Sequence, residues 1–279
     1  MENYRLEGKT FVIDDYDRLP AFSSFLPGLA GVKGIPMWTF YTNRGQGMNS
    51  FGIDNKGNAI MEFNSANTAF ENTTVKGFRT FLTIDGEYYE PFFKYEDDAK
   101  RQIRMNKNSF KVIERNEKYG IEITVNYYVL PNESIGALVR QVSIKNISGQ
   151  KKNIEIIDGL PKIITYGISN GEFKEMSNLF KSWAYIKNID NKVPYYTLRA
   201  STKDSAEVSD VEGGYYYLTV KDGKLQDVIY DVDTVFGYDL SLMTPVRFID
   251  GGIDNVLGKE QCFANKVPCG FTPFKTQLD

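Results

Sequence analysis

Short apolar runs that alternate with polar residues recur along the whole chain, and turn signals separate them. Ile121, Ile123 and Val125 alternate with polar residues, which is the period-two pattern of a half-buried strand. The run 78–84 ends at Asp85-Gly86, a dipeptide typical of tight hairpins. Aromatic residues make up 14% of the chain, and they suit the pleated faces of sheets. The pattern therefore predicts an antiparallel all-β protein.

The number of these runs predicts the architecture. We count roughly fourteen to eighteen strands separated by turns, enough for a large antiparallel two-sheet sandwich. No linker divides the chain, so we predict a single domain over residues 1–279. At most one or two short helices are expected, one of them in the segment 172–183. There, apolar residues recur every three or four positions, namely Phe173, Met176, Phe180 and Trp183.

The composition excludes several classes of function. A formal net charge of -3 leaves no basic stripe that could bind nucleic acid. The chain has no histidine, so it lacks the usual proton shuttle and the commonest metal ligand. Cys262 and Cys269 are too few for a disulfide scaffold or a zinc site, so we expect two free, buried thiols and no metal. Because the sequence has neither a signal peptide nor a membrane span, we predict a cytoplasmic protein without membrane contact.

The segment 34–53 holds the strongest candidates for ligand binding. Aromatic rings stack on the apolar faces of sugars, and arginine and amide side chains hydrogen-bond sugar hydroxyls. Strand alternation would place Trp38 and Phe40 on one face of a sheet. The competing interpretation is a set of buried aromatics followed by an ordinary turn. The candidate residues, for a substrate or for a domain interface, are Trp38, Tyr41, Arg44, Gln46 and Asn49.

Two acidic clusters are candidates for a catalytic carboxylate pair. They are 14–17, with Asp14, Asp15 and Asp17, and 96–98, with Glu96, Asp97 and Asp98. A glycosidase needs two carboxyl groups that flank the scissile bond. Adjacent strand residues point to opposite faces, however, and Asp runs more often mark turns and strand ends. A small glycosidase that uses the first cluster is therefore a second alternative, and we predict no catalytic residue.

The end of the sequence has two interpretations. The segment 263–274 has the pattern of two strands, and 276–279 resembles the opening of a further turn that has no following partner. A ragged terminus is one interpretation. The other is that the chain is the N-terminal part of a longer, multidomain polypeptide.

Several of these segments resemble one family. The run DDYDRLPAFSSFLPGLAGVKGIPMWTFYTNRGQGMNSFGIDNKGNAIMEF, residues 14–63, resembles the N-terminal region of the cellobiose phosphorylase family of inverting glycoside phosphorylases. Within that family it is most similar to the 1,2-β-oligoglucan phosphorylases. The segments GFRTFL (77–82), NGEFKEMSNLFKSW (170–183) and NKVPCGFTPF (265–274) are similar to the same family but less specific.

The resemblance implies a role for the chain within a larger enzyme. Such enzymes join an N-terminal supersandwich, similar in fold to galactose mutarotase, to a C-terminal (α/α)6 barrel. The barrel carries the catalytic acid and binds inorganic phosphate, the co-substrate that cleaves a β-glucooligosaccharide to give α-glucose 1-phosphate. The implied partners are therefore this oligosaccharide, the barrel of the same polypeptide and a second copy in a homodimer. A free-standing carbohydrate-binding module is the alternative from another class.

Overall fold

The computed structural model describes residues 3–26, 28–94, 98–202 and 205–279. The strands in these ranges are β1 (Tyr4–Glu7), β2 (Thr10–Asp14), β3 (Ser23–Phe25), β4 (Gly28–Ala30), β5 (Ile35–Thr42), β6 (Met48–Ile53), β7 (Ala59–Met61), β8 (Arg79–Ile84), β9 (Glu87–Tyr89), β10 (Ala99–Met105), β11 (Phe110–Asn116), β12 (Ile121–Val129), β13 (Leu138–Asn146), β14 (Lys152–Leu160), β15 (Ala184–Lys187), β16 (Tyr195–Leu198), β17 (Tyr215–Tyr216), β18 (Val220–Lys221), β19 (Lys224–Leu225) and β20 (Gly270–Leu278). The α-helices are α1 (Ala66–Lys76), α2 (Asn170–Lys181), α3 (Asp233–Phe236) and α4 (Val246–Gly251).

The strands of the described ranges pair into five antiparallel sheets. A six-stranded sheet has the order β1-β2-β10-β11-β12-β13, and a four-stranded sheet has the order β20-β14-β8-β9. A five-stranded sheet follows the order β3-β5-β6-β7, with β4 also paired to β5. Two small sheets complete the set, β15-β16-β17 and β18-β19.

The main core lies between the six-stranded sheet and the two other large sheets. Ile103 and Ile123 of the six-stranded sheet belong to the same buried cluster as Tyr41 of the five-stranded sheet and Leu82 of the four-stranded sheet. One face of the six-stranded sheet is therefore covered jointly by the other two. This arrangement fixes the inner face of β5. On the opposite face of the five-stranded sheet, Trp38 packs against a third buried cluster that includes Ala59 of β7 and Phe173 of α2.

The second face of the four-stranded sheet is also buried. Phe81 of β8 and Phe271 of β20 pack against Phe236 of α3 and Phe248 of α4 in a separate cluster. The ring centroids of Phe81 and Phe236 are 5.8 Å apart. A strand with two buried faces has a nearly continuous apolar run rather than strict alternation, and this explains the run around Phe81.

The structure confirms the all-β prediction and corrects its finer points. Asp85 and Gly86, with φ angles of 52° and 90°, join β8 to β9 as the hairpin signal predicts. The strands pair into five sheets rather than two continuous ones, and β7 and β8, which follow each other in sequence, belong to different sheets. Alternation indicates which side chains share a face, but it does not indicate which strands pair.

The helices depart further from the prediction of one or two short ones. Helix α1 carries five Asn and Thr residues among its eleven, and these residue types are weak helix formers. It packs on β6 and β5 through the buried Ala69 and Thr73, so tertiary contacts override its propensity. The predicted helix 172–183 is confirmed as α2. Met176, however, lies at a kink and is exposed, unlike Phe173 and Phe180.

The last strand and the thiols also differ from expectation. β20 pairs with β14 along its full length, and Thr276 lies opposite Ile154, so the turn predicted at 276 is wrong. A nine-residue strand with a polar second half has too little alternation for its end to be predicted. Both thiols are free, as expected, but Cys269 is buried whereas Cys262 is exposed.

Candidate functional site

β5 separates its side chains between the core and the outside, as the sequence predicts. Thr39 and Tyr41 are buried in the main core, whereas Trp38 and Phe40 lie on the opposite face and stay partly exposed. The outer face of an antiparallel sheet is commonly polar. This strand therefore presents aromatic rings where alternation alone would allow polar side chains.

Four rings form an aromatic cluster on this outer face: Phe25, Trp38, Phe40 and Phe63. The ring centroids of Trp38, Phe40 and Phe63 lie 5.6 to 6.0 Å from one another, and their planes are inclined by 55° to 86°. Phe25 lies 6.4 Å from Phe40 and is 60% exposed. The other three rings are partly buried, so the exposed apolar surface of the cluster lies mainly on Phe25, and exposed apolar surface marks a candidate interaction site.

The position of Trp38 depends on a glycine in the neighbouring strand. Gly52 lies opposite Trp38 in the β5–β6 pair, and a Cβ atom at Gly52 would approach Cζ2 of the indole to 2.5 Å. The indole therefore lies against the bare main chain of β6. Its Nε1 donates a hydrogen bond to the carbonyl oxygen of Asn55 at 2.9 Å, which fixes the orientation of the ring.

The position of Phe63 depends on α2, which begins 107 residues later. The side-chain oxygen of Asn170 accepts from the N–H of Phe63 at 3.0 Å, and its amide nitrogen donates to the carbonyl of Phe63 at 3.2 Å. Lys174, on the next turn of α2, also donates to this carbonyl. A capping box between Ser169 and Glu172 stabilises the first turn of α2. This turn carries Asn170, which positions Phe63 of the aromatic cluster.

Tyr41, a predicted site residue, belongs to the core. Its ring stacks on Phe110 with a centroid distance of 4.2 Å, and its hydroxyl donates to Sδ of Met105 at 3.1 Å. Both contacts are made with the six-stranded sheet. Tyr41 therefore joins two layers of the fold.

Arg44 lies in the tight turn between β5 and β6. Gly47 has a φ of 85°, and a Cβ atom there would lie 2.2 Å from Cε1 of Phe110, so this turn requires a glycine on both grounds. The guanidinium of Arg44 donates to the carbonyls of Asn43 at 2.7 Å and Leu19 at 3.1 Å. These contacts fasten the turn to the segment that precedes β3.

Gln46 is 3% exposed and belongs to an internal polar network. Its Nε2 donates to the hydroxyl of Thr80 at 3.0 Å, and its Oε1 accepts from Arg140. Arg140 also pairs with Asp158 and donates to the hydroxyl of Tyr127 at 3.2 Å. Burial raises the pKa of Tyr127 to about 12. The network joins all three large sheets.

Asn49 lines a small polar cleft between β6 and α1. Its side-chain oxygen accepts from the hydroxyl of Ser50 at 3.1 Å. Across the cleft, Lys162 and Glu62 form an ion pair at 2.9 Å. The cavity volume is about 20 Å³, which is enough for about one water molecule but not for a sugar ring. The other residues that line it are Met61, Asn64, Asn72 and Lys76.

The structure therefore separates the five sequence candidates. Only Trp38 contributes to the outer aromatic cluster. Tyr41 and Gln46 make buried contacts between the sheets, and Arg44 stabilises the turn between β5 and β6. Sequence reasoning missed Phe25 and Phe63. Phe25 pairs with Phe40 across β3 and β5, but such pairing between short strands leaves no signal in a single sequence.

The acidic clusters have structural partners where they are described. Asp14 pairs with Arg5 and accepts from Gln102 at 2.6 Å. Asp17 pairs with Arg101 at 2.6 Å. Asp15 adopts a left-handed conformation with a φ of 46° at the start of a single turn, which fits the turn role that the sequence favours. In the second cluster, Glu96 and Asp97 lie outside the described residues.

Comparison with protein-family models and with curated proteins found no match. No helix in the described ranges combines the length and the apolar character that crossing a membrane requires. Among the residues that the structure describes, no three Cys, Asp or Glu side chains are grouped so that they could hold a metal ion. The aromatic cluster is the candidate functional site, because its rings can make apolar contacts with a ligand or a neighbouring domain.

Proposed function

We propose that the chain is the non-catalytic, carbohydrate-associated β-sandwich domain of a glycoside phosphorylase. The complete cytoplasmic enzyme cleaves β-linked glucooligosaccharides with inorganic phosphate to give α-glucose 1-phosphate and a shortened acceptor. One structural observation carries the proposal: the outer face of the five-stranded sheet presents the aromatic cluster. The other support is the resemblance of residues 14–63 to the cellobiose phosphorylase family.

The sheets fit the layers of such a sandwich. In this interpretation the six-stranded sheet is one layer, and the five- and four-stranded sheets together are the other. The main core, with Ile103 and Leu82 on opposite sides, lies between the two layers. The bulges of the β5–β6 and β6–β7 pairs then account for the division of the second layer, since bulges bend strands and increase their twist.

The aromatic cluster favours a protein domain over a flat sugar as its neighbour. A stacking platform for sugar needs open ring faces. Here the planes of Trp38 and Phe63 are inclined by 86° and pack edge to face, so the rings largely cover one another. The neighbour in our proposal is the (α/α)6 barrel of the same polypeptide. The β-domain then shapes and supports a substrate cleft whose catalytic groups belong to the barrel.

Reading the coding DNA beyond codon 279 and assaying the complete product tests this proposal. We expect a continuous frame that encodes a helical barrel, and phosphate-dependent release of α-glucose 1-phosphate from β-glucooligosaccharides. The 279-residue chain assayed alone should release none. A stop codon directly after codon 279, or a complete product without phosphorolysis, would contradict the proposal.

The exposed Phe25 favours a free-standing carbohydrate-binding module as the second candidate. Titration with β-glucooligosaccharides, followed by tryptophan fluorescence in a Trp183→Phe background, reports on Trp38 as the single remaining tryptophan. Because Trp38→Ala leaves no tryptophan in that background, binding by the variants is measured by titration calorimetry, and saturable binding that Trp38→Ala and Phe25→Ala both abolish would favour the module. Binding that survives both substitutions, or no binding at all, would remove the aromatic cluster as an independent sugar site.

A further inference from the structure

The apolar face of the six-stranded sheet extends beyond the layer that covers it. Ile13 and Ile103 lie opposite each other on the core face and are fully buried. On the same face, toward the edge strand β1, the side chains of Tyr4, Leu6 and Phe11 are 45%, 70% and 41% exposed. We call these three residues the edge strip. Tyr4 and Phe11 stack on each other with a centroid distance of 6.2 Å.

β1 also has a free main-chain edge. In the described part of the chain β2 is its one neighbour. The N–H of Asp14 donates to the carbonyl of Asn3, which identifies Asn3–Asp14 as a hydrogen-bonded pair. Because such pairs alternate along an antiparallel ladder, Tyr4 and Leu6 direct their N–H and C=O groups away from β2. The residues with unpaired main-chain groups are therefore the residues with exposed apolar side chains.

The charges on the opposite face of β1 are self-complementary. Arg5 and Glu7 flank Leu6, and they pair with each other at 2.7 Å. If two copies of β1 pair antiparallel about a two-fold axis at Leu6, each Arg5 lies opposite Glu7 of the second copy. A same-sign pair at these positions would block this register. The register also makes Leu6–Leu6 a hydrogen-bonded pair, which is what the free groups of Leu6 require.

We propose that β1 is a self-association edge, on which a second copy of this chain pairs antiparallel in the register centred at Leu6. The pairing forms one continuous twelve-stranded sheet from two six-stranded ones. It also aligns Phe11 and Leu6 of one copy with Leu6 and Phe11 of the second copy in a single apolar row. This inference does not depend on the proposed phosphorylase role.

The interface is small, so association should be weak and concentration-dependent. Interfaces that bury less than about 1,200 Å² are typical of transient complexes. Light scattering and sedimentation of the 279-residue chain should show a species with twice the 31.8 kDa mass of one chain, and its fraction should rise with concentration. A chain that stays monomeric up to high-micromolar concentration overturns the proposal.

A proline at position 6 tests the main-chain hydrogen bonds between the two copies without disturbing the fold of one copy. The N–H of Leu6 faces the free edge, so Leu6→Pro removes no hydrogen bond to β2, and edge strands tolerate proline at such positions. We expect Leu6→Pro to be monomeric with an unchanged circular dichroism spectrum. Leu6→Ala keeps the N–H and loses only apolar contact, so its dimer should be weakened rather than lost. Dimerisation of Leu6→Pro at the wild-type level overturns the proposal.

Disulfide trapping tests the register. Arg5 and Glu7 of the second copy would form a non-hydrogen-bonded pair with Cα atoms about 4.5 Å apart, within the range of a disulfide. In a Cys262→Ser background, which removes the exposed thiol, an equal mixture of Arg5→Cys and Glu7→Cys chains should crosslink on oxidation. In a dimer of two Arg5→Cys chains, the Cα atoms of the two introduced cysteines would lie on the order of 8 Å apart. This variant alone should therefore not crosslink. Equal crosslinking of the single variant and the mixture contradicts the register.

Discussion

The side-chain amide of Gln46 is held between two sheets, and one of its partners, Arg140, lies 94 residues away in sequence. Arg140 donates to the amide oxygen from β13, while the amide nitrogen donates to Thr80 of β8 at 3.0 Å. The turn between β5 and β6 is thereby fastened to the other two large sheets. A glutamine side chain can hydrogen-bond sugar hydroxyls, but here its amide oxygen accepts a hydrogen bond from the buried Arg140.

Replacing Gln46 should therefore affect stability. Gln46→Ala leaves the guanidinium of Arg140 and the hydroxyl of Thr80 with one partner fewer in a buried site, which costs about 1–3 kcal/mol. We expect urea denaturation to show a decrease of this size in the free energy of unfolding. Gln150→Ala is the matched control, because Gln150 is exposed and its change should stay within about 0.5 kcal/mol. Equal effects of the two substitutions would contradict the structural role of Gln46.

The sequence predicted which side chains share one face of a strand or helix better than it predicted which residues contact each other across the fold. Alternation separated Trp38 and Phe40 from Thr39 and Tyr41 without indicating which face is buried, and the spacing of Phe173 and Phe180 predicted the buried side of α2. These signals are local, since they depend on the period of one element. They are also why the all-β class could be predicted.

Partners that meet across long sequence separations carry no such local signal. Phe63 and Asn170 are clamped together across 107 residues, and neither has an unusual neighbourhood in the sequence. The same holds for Gln46 and Arg140. A single sequence thus identified segment 34–53 as aromatic and polar, but it could not separate the exposed cluster from the internal network.

Arg79 and Glu90 form a second buried ion pair, and this pair holds a loop. Arg79 is 2% exposed, and its Nε and Nη2 bind the two carboxylate oxygens of Glu90 at 2.6 and 2.8 Å. Its guanidinium also donates to the carbonyls of Leu242 and Met243. The loop between α3 and α4 is therefore anchored to β8 through one side chain.

Neutralising Glu90 should destabilise the fold strongly. Glu90→Gln keeps the shape but leaves the charge of Arg79 buried without its counter-ion, and such breaks cost about 3–5 kcal/mol. We expect a loss of this size in urea denaturation, together with faster amide hydrogen exchange at Met243. The exposed pair of Lys118 and Glu87 is the control, and Glu87→Gln should change the stability far less. Hydrogen exchange at Met243 that does not respond to Glu90→Gln would contradict the anchoring role.

The capping box of α2 should contribute measurably to stability. The hydroxyl of Ser169 accepts from the N–H of Glu172 at 3.2 Å, and the carboxylate of Glu172 accepts from the N–H of Ser169 at 2.8 Å. Ser169→Ala should lower the free energy of unfolding by about 1 kcal/mol. Ser65 precedes α1 but its side chain makes no capping hydrogen bond, so Ser65→Ala should cost clearly less. A larger loss at Ser65 than at Ser169 would contradict this assignment.

Buried tyrosines should make the fold sensitive to alkali. Burial raises the pKa of Tyr127, Tyr215 and Tyr217 to about 12 each. The unfolded chain loses these protons near pH 10, whereas the folded chain keeps them, so between these values the unfolded state binds fewer protons. The free energy of unfolding therefore falls as pH rises above about 10.

Tyr215 offers the cleanest test of this dependence. Its ring packs edge to face on Tyr166 at 5.4 Å, and Tyr215→Phe keeps that contact while removing the ionisable group. Because the pKa of Tyr215 is about 10 in the unfolded chain and about 12 in the folded one, its ionisation should lower the free energy of unfolding by about 1.4 kcal/mol at pH 11. Urea denaturation at pH 9 and at pH 11 should show a smaller loss of stability for Tyr215→Phe than for the wild type. Parallel losses in the two proteins would mean that ionisation of Tyr215 is not coupled to unfolding.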